Sequence, residues 1–252
     1  MSLLAVAGLH KSFGGVRAVE DVSFEVAAGE MLALIGPNGA GKSTCFNMLN
    51  GQIRPDGGSI RLAGHDITGQ KPRRVARQGV GRTFQITATF ASMTVRENVQ
   101  VALLAHHRRI WRFLRPAGGE FRAEAEALLE RLDLLPQAER AAGILAYGDL
   151  KRLELAVALA GAPRLLLMDE PTAGMAPAER VALMRLARTL ATGTGLAILF
   201  TEHDMDVVFG SADRILVLNR GVLIAAGNAD TIRADPGVRE VYLGSGVTTG
   251  GH

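Results

Sequence analysis

The sequence predicts an α/β fold, a doubly wound parallel sheet with a small antiparallel β lobe ahead of it and a helical lobe inserted into it. Three observations predict it. The runs Met31-Leu32-Ala33-Leu34-Ile35, Leu165-Leu166-Leu167-Met168 and Leu196-Ala197-Ile198-Leu199-Phe200 are short and continuously apolar, as parallel strands buried on both faces are. Residues 3–6 and 22–26 alternate apolar and polar side chains, the period of half-buried antiparallel strands. Residues 123–135 and 150–160 instead carry apolar side chains at helical spacing, with Glu and Arg between them.

Taken in order, the alternating segments make the β lobe, and the first buried run leads through a Gly-rich turn into a helix starting near Gly41. The middle of the chain, 86–160, reads as the helical lobe. Beyond it, two further buried runs flank a helical pattern at 178–191, so the strand-helix-strand rhythm resumes. The expected organisation is a single domain, 1–252, in which 1–85 and 161–243 form the core with its β lobe. The Gly- and Thr-rich end, 244–252, is expected to fray. No internal repeat is visible.

At 252 residues the chain can bury a core large enough to need no covalent staples. Its single cysteine, Cys45, permits no internal disulfide, and no basic-plus-apolar leader opens the sequence, so a reducing cytoplasm is the expected setting. Every apolar run stops short of the ~20 residues that span a bilayer. Lys and Arg exceed Asp and Glu by only 28 to 25, which gives no electrostatic case for nucleic acid.

The strongest local signal is Gly36-Pro37-Asn38-Gly39-Ala40-Gly41-Lys42-Ser43-Thr44. It fits the G-x-x-x-x-G-K-[ST] spacing between a buried strand and a helix, the pattern of a P-loop NTPase. Its glycines let backbone N–H groups converge on phosphate oxygens, and the helix N-terminus adds a favourable dipole. Lys42 places a point charge against the β- and γ-phosphates of ATP, and the Ser43 hydroxyl suits Mg²⁺. The alternative is an ordinary Gly-rich turn, and a second feature weighs against it. The buried run at 165–168 ends in Asp169-Glu170, two adjacent carboxylates at the sheet edge where ligands bind. Asp169 can hold the Mg²⁺ shell and Glu170 can polarise the water that attacks the γ-phosphate. Otherwise the pair would serve only as capping acids before Pro171.

With these motifs in this order the chain resembles the ATP-binding subunits of ABC transporters over nearly its whole length. The resemblance implies a P-loop fold with a RecA-like core, ATP and Mg²⁺ as ligands, and hydrolysis coupled to transport at the cytoplasmic face of the cell membrane. It implies integral membrane permease subunits and a second ATPase subunit, identical or sister, as partners, a substrate-binding protein indirectly, and no nucleic acid. Gln85, in Gly81-Arg82-Thr83-Phe84-Gln85, is similar to the family's Q-loop glutamine, which contacts Mg²⁺ and the attacking water. His203, at the end of the next buried run, is similar to the switch histidine that bonds the γ-phosphate, although a lone His after a strand is more often a passive surface residue. Phe13 is similar to the aromatic residue on which adenine stacks; an isolated Phe is ordinarily core.

The segment Leu145-Ala146-Tyr147-Gly148-Asp149 stands where the family usually has Leu-Ser-Gly-Gly-Gln, which closes over the nucleotide held by the partner's phosphate loop. Ala146 lacks the serine hydroxyl, removing one charge-assisted hydrogen bond worth about 1.5–3 kcal/mol. The segment keeps its amides and helix dipole, with Asp149 in the first turn. The expected result is weakened closure over the other subunit's nucleotide. The D-loop counterpart, Ala173-Gly174-Met175-Ala176, lacks the usual final Asp.

Within the family the chain is most similar to the ATPases of branched-chain (hydrophobic) amino acid importers. Tyr147-Gly148, Arg152-Leu153-Glu154, Glu202-His203-Asp204-Met205 and Val241-Tyr242-Leu243-Gly244 carry that likeness. Urea and short-amide importers, and exporters of lipid-like cargo, share parts of the pattern. Soluble members that work without a permease usually carry tandem cassettes or added modules, which this sequence does not show.

The stretch His106-His107-Arg108-Arg109-Ile110-Trp111-Arg112-Phe113-Leu114-Arg115 admits three readings. It can be a solvated insertion packed on the helical lobe, a basic amphipathic segment at a membrane surface, or, by its interleaved Arg and aromatics, a nucleic-acid contact. The paired histidines are weak metal ligands, because adjacent side chains on a helix diverge. Cys45 reads as a small buried apolar residue.

Overall fold

A computed structural model describes residues 2–83, 89–107 and 121–243. Gln85, residues 108–115 of the Arg- and aromatic-rich stretch, and the end at 244–252 lie outside the described residues. Two sheets organise the chain. In the first, β1 (Ser2–Phe13) pairs antiparallel with β2 (Val16–Ala27) on one side and with β4 (Gly57–Leu62) on the other, and the short β5 (His65–Asp66) completes the edge. Alternation drives it: Val22, Phe24 and Val26 are buried while Asp21, Ser23 and Glu25 face out.

The second sheet runs in the order β10-β9-β3-β8-β7-β6. Its strands are β3 (Met31–Ile35), β6 (Val80–Arg82), β7 (Leu165–Asp169), β8 (Ala197–Thr201), β9 (Arg214–Asn219) and β10 (Val222–Gly227). All neighbours are parallel except β10, which returns antiparallel on β9. Every residue of β3, β7 and β8 is buried because the sheet is covered on both faces. Leu32, Leu34 and Leu199 face the β lobe and α1 (Lys42–Leu49). Met31, Ala33 and Phe200 face the opposite, helical layer.

That layer contains α6 (Pro177–Thr194) and α7 (Met205–Ser211). Helix α6 starts with Pro177 at its first position and stops at Gly195, whose φ of +72° suits a glycine. Three further helices, α3 (Val95–His106), α4 (Arg122–Arg131) and α5 (Tyr147–Leu159), pack into the same apolar core through Val99, Leu129 and Leu153. The helical insertion therefore shares one continuous core with the sheet. A capping box at Thr94 and Glu97 starts α3, with the Thr94 hydroxyl accepting from the Glu97 N–H and the Glu97 carboxylate accepting from the Thr94 N–H.

Helix α2 (Pro72–Arg77) precedes β6, and α8 (Ala229–Ala234) and α9 (Pro236–Leu243) end the described chain. The helical pattern at 123–135 stops earlier than its spacing suggests. Asp133 turns left-handed at φ +55°, and Pro136 enters a short 3-10 turn, Leu135–Gln137, so the backbone cannot continue as α-helix. Among the described residues no helix is long and apolar enough to cross a membrane, and no cluster of metal-ligating side chains forms around His106 and His107.

Cys45 lies fully buried on α1, and burial pushes its thiol from the ordinary 9.0 up to about 12. The unfolded chain thus ionises this thiol at lower pH than the folded chain does, so its contribution to stability is complete below pH 9 and is lost as pH rises towards 12. Cys45→Ala should flatten that alkaline fall in denaturant midpoint relative to the parent, and a thiol reagent should label the native parent only at the rate of unfolding.

Candidate nucleotide site

The phosphate loop leaves β3 and runs into α1. Two of its glycines are dictated by close approach. A Cβ at Gly36 (φ +153°) would lie 2.0 Å from the Leu218 carbonyl oxygen, and one at Gly41 (φ +107°) would lie 2.2 Å from that of Ala18. The loop's curve is held by the Ala40 N–H donating to the Pro37 carbonyl at 3.1 Å and the Gly221 N–H donating to the Ala40 carbonyl at 2.9 Å. Gly41 begins α1 with no side-chain cap, which leaves the first-turn amides unclaimed by any capping group. Lys42 is 8% exposed, and its Nζ donates back to the carbonyls of Gly36 (2.6 Å) and Pro37 (3.1 Å).

Parallel register brings the acids to the same edge. Asp169 closes β7 directly opposite Thr201, the last residue of β8. The Thr201 hydroxyl donates to Asp169 Oδ1 at 2.8 Å, and Arg82 Nη2 donates to Oδ2 at 3.0 Å. Arg82 ends β6 and also donates to Asn47 Oδ1 of α1 at 2.6 Å, so one guanidinium joins the sheet's edge strand, the phosphate-loop helix and the acid. Glu170 follows in a left-handed conformation at φ +48°, its N–H shared between the carbonyl and hydroxyl oxygens of Thr201, both at 3.1 Å. A non-glycine residue held there is strained, and the surrounding bonds must hold it in place. Glu170 Oε1 meets His203 Nε2 at 3.0 Å.

Glu202 and Asp204 fix the backbone on either side of that histidine. Buried Glu202 accepts from the Thr172 N–H (2.9 Å) and hydroxyl (2.6 Å), clamping the exit of β8 to the turn after Glu170. Asp204 caps α7 by accepting from the N–H groups of Asp206 (3.0 Å) and Val207 (3.3 Å). It also pairs with Arg180, whose Nε donates to the Met175 carbonyl at 2.8 Å.

Burial holds the Lys42 ammonium below the ordinary lysine value, while the charges of Glu170 and, less strongly, Asp169 pull it back up. The lysine is therefore within electrostatic reach of both acids. Loop, acid pair and histidine form one constellation, able to bind phosphate and to hold a water beside it.

Residues 19–173 match the profile of a family described as ABC transporter. The chain belongs to the ATP-binding proteins of this family. Residues 222–248, which include β10, α8 and α9, match a second profile, described as branched-chain amino acid ATP-binding cassette transporter. Along its length the chain is 44% identical to the high-affinity branched-chain amino acid transport ATP-binding protein LivG of Salmonella typhimurium, covering 96% of this chain and 98% of that protein. It is 41% identical to BraF of Pseudomonas aeruginosa, named likewise, with the same coverage of each. A crystal structure of an ABC transporter's ATP-binding cassette in its ADP conformation superposes with a TM-score of 0.88 at 32% identity, covering 97% of this chain and 99% of that one. The α/β fold expected from the sequence is thereby the fold of the ABC ATPases.

In this ABC ATPase, Phe13 is 47% exposed at the end of β1, with Lys11 Nζ 5.4 Å from its ring centroid, so it is not the core residue that an isolated Phe ordinarily is. Ala146 is the N-cap of α5 and supplies no side-chain cap; Asp149 sits in the first turn. At Gly148 a Cβ would lie 2.9 Å from Glu179 Oε1. The Tyr147 phenol donates to the Ala173 carbonyl at 3.0 Å. Among the described residues, no hydrogen bond joins Ala146, Tyr147, Gly148 or Asp149 to the phosphate loop of the same chain.

Arg82, Thr172, Thr201 and Arg180 were not singled out from sequence. Their side-chain partners are far along the chain, 87 residues for Arg82 and Asp169 and 24 for Arg180 and Asp204, so no local pattern marks them. The Arg82–Asp169 pair is nearly buried, with side chains 14% and 8% exposed. Arg82→Met leaves a buried carboxylate without its counter-charge and should lower the unfolding free energy by about 3 kcal/mol in denaturant titrations.

Proposed function

We propose that this ABC ATPase drives an importer of branched-chain or other hydrophobic amino acids, hydrolysing ATP at the edge formed by β3, β7 and β8. The observation that carries the mechanism is the 3.0 Å contact between Glu170 and His203, at adjacent strand ends within the field of Lys42. Near-complete coverage of LivG and BraF, and the C-terminal match at 222–248, support the cargo class.

Loop N–H groups between Asn38 and Thr44 and the Lys42 ammonium bind the phosphates, the lysine exchanging its carbonyl partners for phosphate oxygens. The exposed Ser43 hydroxyl in the first turn of α1 and the Asp169 carboxylate are hard oxygen donors, a set that fits Mg²⁺, to which Gln85 adds an amide oxygen. When bound, Mg²⁺ would supply positive charge against the phosphates and neutralise the charge that develops there. Glu170 accepts the proton of the attacking water, and His203 orients Glu170 and bonds the γ-phosphate. Phe13, exposed at the end of β1 in the β lobe, offers its ring face to adenine.

The segment Ala146–Tyr147–Gly148–Asp149 serves a second ATPase subunit, closing over its nucleotide with amides at the start of α5 but without a hydroxyl at Ala146. Each pair of sites is thus assembled between two subunits. The assembly sits on the cytoplasmic face of the membrane against permease subunits, with a substrate-binding protein acting through the permease.

Glu170→Gln should keep ATP affinity and lower kcat on the order of 10²- to 10⁴-fold, the usual contribution of a positioned base. Lys42→Ala should instead weaken ATP binding in an equilibrium titration; parent-like turnover in Glu170→Gln would remove the proposed base. For cargo, the protein reconstituted with its membrane subunits and binding protein should show ATPase activity stimulated by leucine, isoleucine or valine. Stimulation by urea or short amides alone would reassign the importer.

A further inference from the structure

We propose that Tyr147 is a positioning residue for hydrolysis within its own subunit: its phenol, bonded to the Ala173 carbonyl, ties the start of α5 to the turn that carries Glu170. The inference rests on the reading of Glu170 as the base. It adds a role in the same chain to a segment whose family function is directed at the other subunit's nucleotide.

The contact spans 26 residues of sequence and is made by a side chain that is 46% exposed, so Tyr147 is not held in place as part of the core. The carbonyl it binds belongs to a series of tight turns. The Ala173 N–H donates to the Glu170 carbonyl at 3.1 Å, and the Met175 N–H donates to the Thr172 carbonyl at 3.1 Å. A displacement of Ala173 is therefore passed to Glu170 through one hydrogen-bonded turn. The near end of this segment is fixed by Thr201 on Glu170 and by Glu202 on Thr172. The far end depends on contacts from α5 and α6, of which the Tyr147 phenol is one and Arg180 on the Met175 carbonyl another.

The ring itself has two neighbours, Gly174 and Lys151. Gly174, at φ +79°, presents backbone to it, and even a Cβ there would lie 3.5 Å from the ring's edge and hydroxyl. The Lys151 ammonium lies over the ring, 5.4 Å from its centroid. Lys151 is buried and bonded to Glu154 at 3.1 Å on the same helix. Next to Tyr147, Gly148 leaves room for Glu179, whose other oxygen accepts from the Ala176 N–H at 3.2 Å. The start of α5 is thereby bonded to residues 170–176 through Ala173 and lies close against Glu179, which holds Ala176, so on this proposal a shift of α5 is passed to the turn at Glu170.

The test is Tyr147→Phe in the full-length protein, which keeps the ring and removes only the donor. The expected result is a kcat lower by about three- to tenfold, the rate equivalent of one neutral hydrogen bond. KM and equilibrium affinity for ATP should stay within about twofold, and the melting temperature should be that of the parent. Parent-like kcat overturns the proposal. So does a loss of kcat matched by weaker ATP binding, which assigns Tyr147 to closure over the partner's nucleotide, or a fall in melting temperature with kcat unchanged, which makes the bond merely structural. Glu170→Gln is measured alongside. If it turns over at the parent rate, the reading of Glu170 fails; if it is inactive while Tyr147→Phe is parent-like, only the present proposal fails.

Discussion

Parallel pairing of β3, β8 and β7 is the constraint on which the rest depends. Strands covered on both faces must be apolar along their length, and in parallel register they end together at one edge. Polar groups are confined to that edge. There Asp169 and Thr201 are buried at the last rung and satisfy one another, with Arg82 supplying the counter-charge that a carboxylate in such a place requires. The nucleotide site is what the chain must do with its polar residues where three buried strands stop.

The candidate side chains Glu170 and His203 and the turns of the loop are held by their neighbours. Glu170 is held in a left-handed turn by Thr201, His203 follows a buried Glu202 and precedes the helix cap Asp204, and Gly36 and Gly41 fit against backbone that admits no side chain. Such rigidity suits phosphoryl transfer, in which positioning and electrostatics supply most of the catalysis. Lys42 donates to the carbonyls of Gly36 and Pro37, so its cation lies inside the curve of the loop.

The start of α5 connects this edge to the helical insertion. Family resemblance directs Ala146–Tyr147–Gly148–Asp149 outward to a second subunit, whereas the Tyr147–Ala173 bond directs part of it inward. Both follow from one geometry: a helix N-terminus exposes its amides to one side and packs its first turn on the other. The shared apolar core of α3, α4 and α5 with the main sheet lets that first turn act on a firm base.

The sequence by itself determined the parts that neighbouring residues specify. The buried runs announced β3, β7 and β8, because a strand covered on both faces must be apolar throughout. The loop at 36–44 and the Asp169-Glu170 pair were legible because their chemistry is contiguous. The capping box at Thr94 and Glu97 is equally local, four neighbouring residues in the chain. Elements with weaker patterns escaped: β6 is three residues long at the sheet's edge, and β10 alternates only between intermediate and exposed positions. Only the tertiary structure decided which residues hold the site together. Arg82 reaches Asp169 across 87 residues and Asn47 across 35, Thr172 reaches Glu202 across 30, and Tyr147 reaches Ala173 across 26. A hydrogen bond requires two groups within about 3 Å, and for residues so far apart in the chain only the packing of strands and helices can meet that condition.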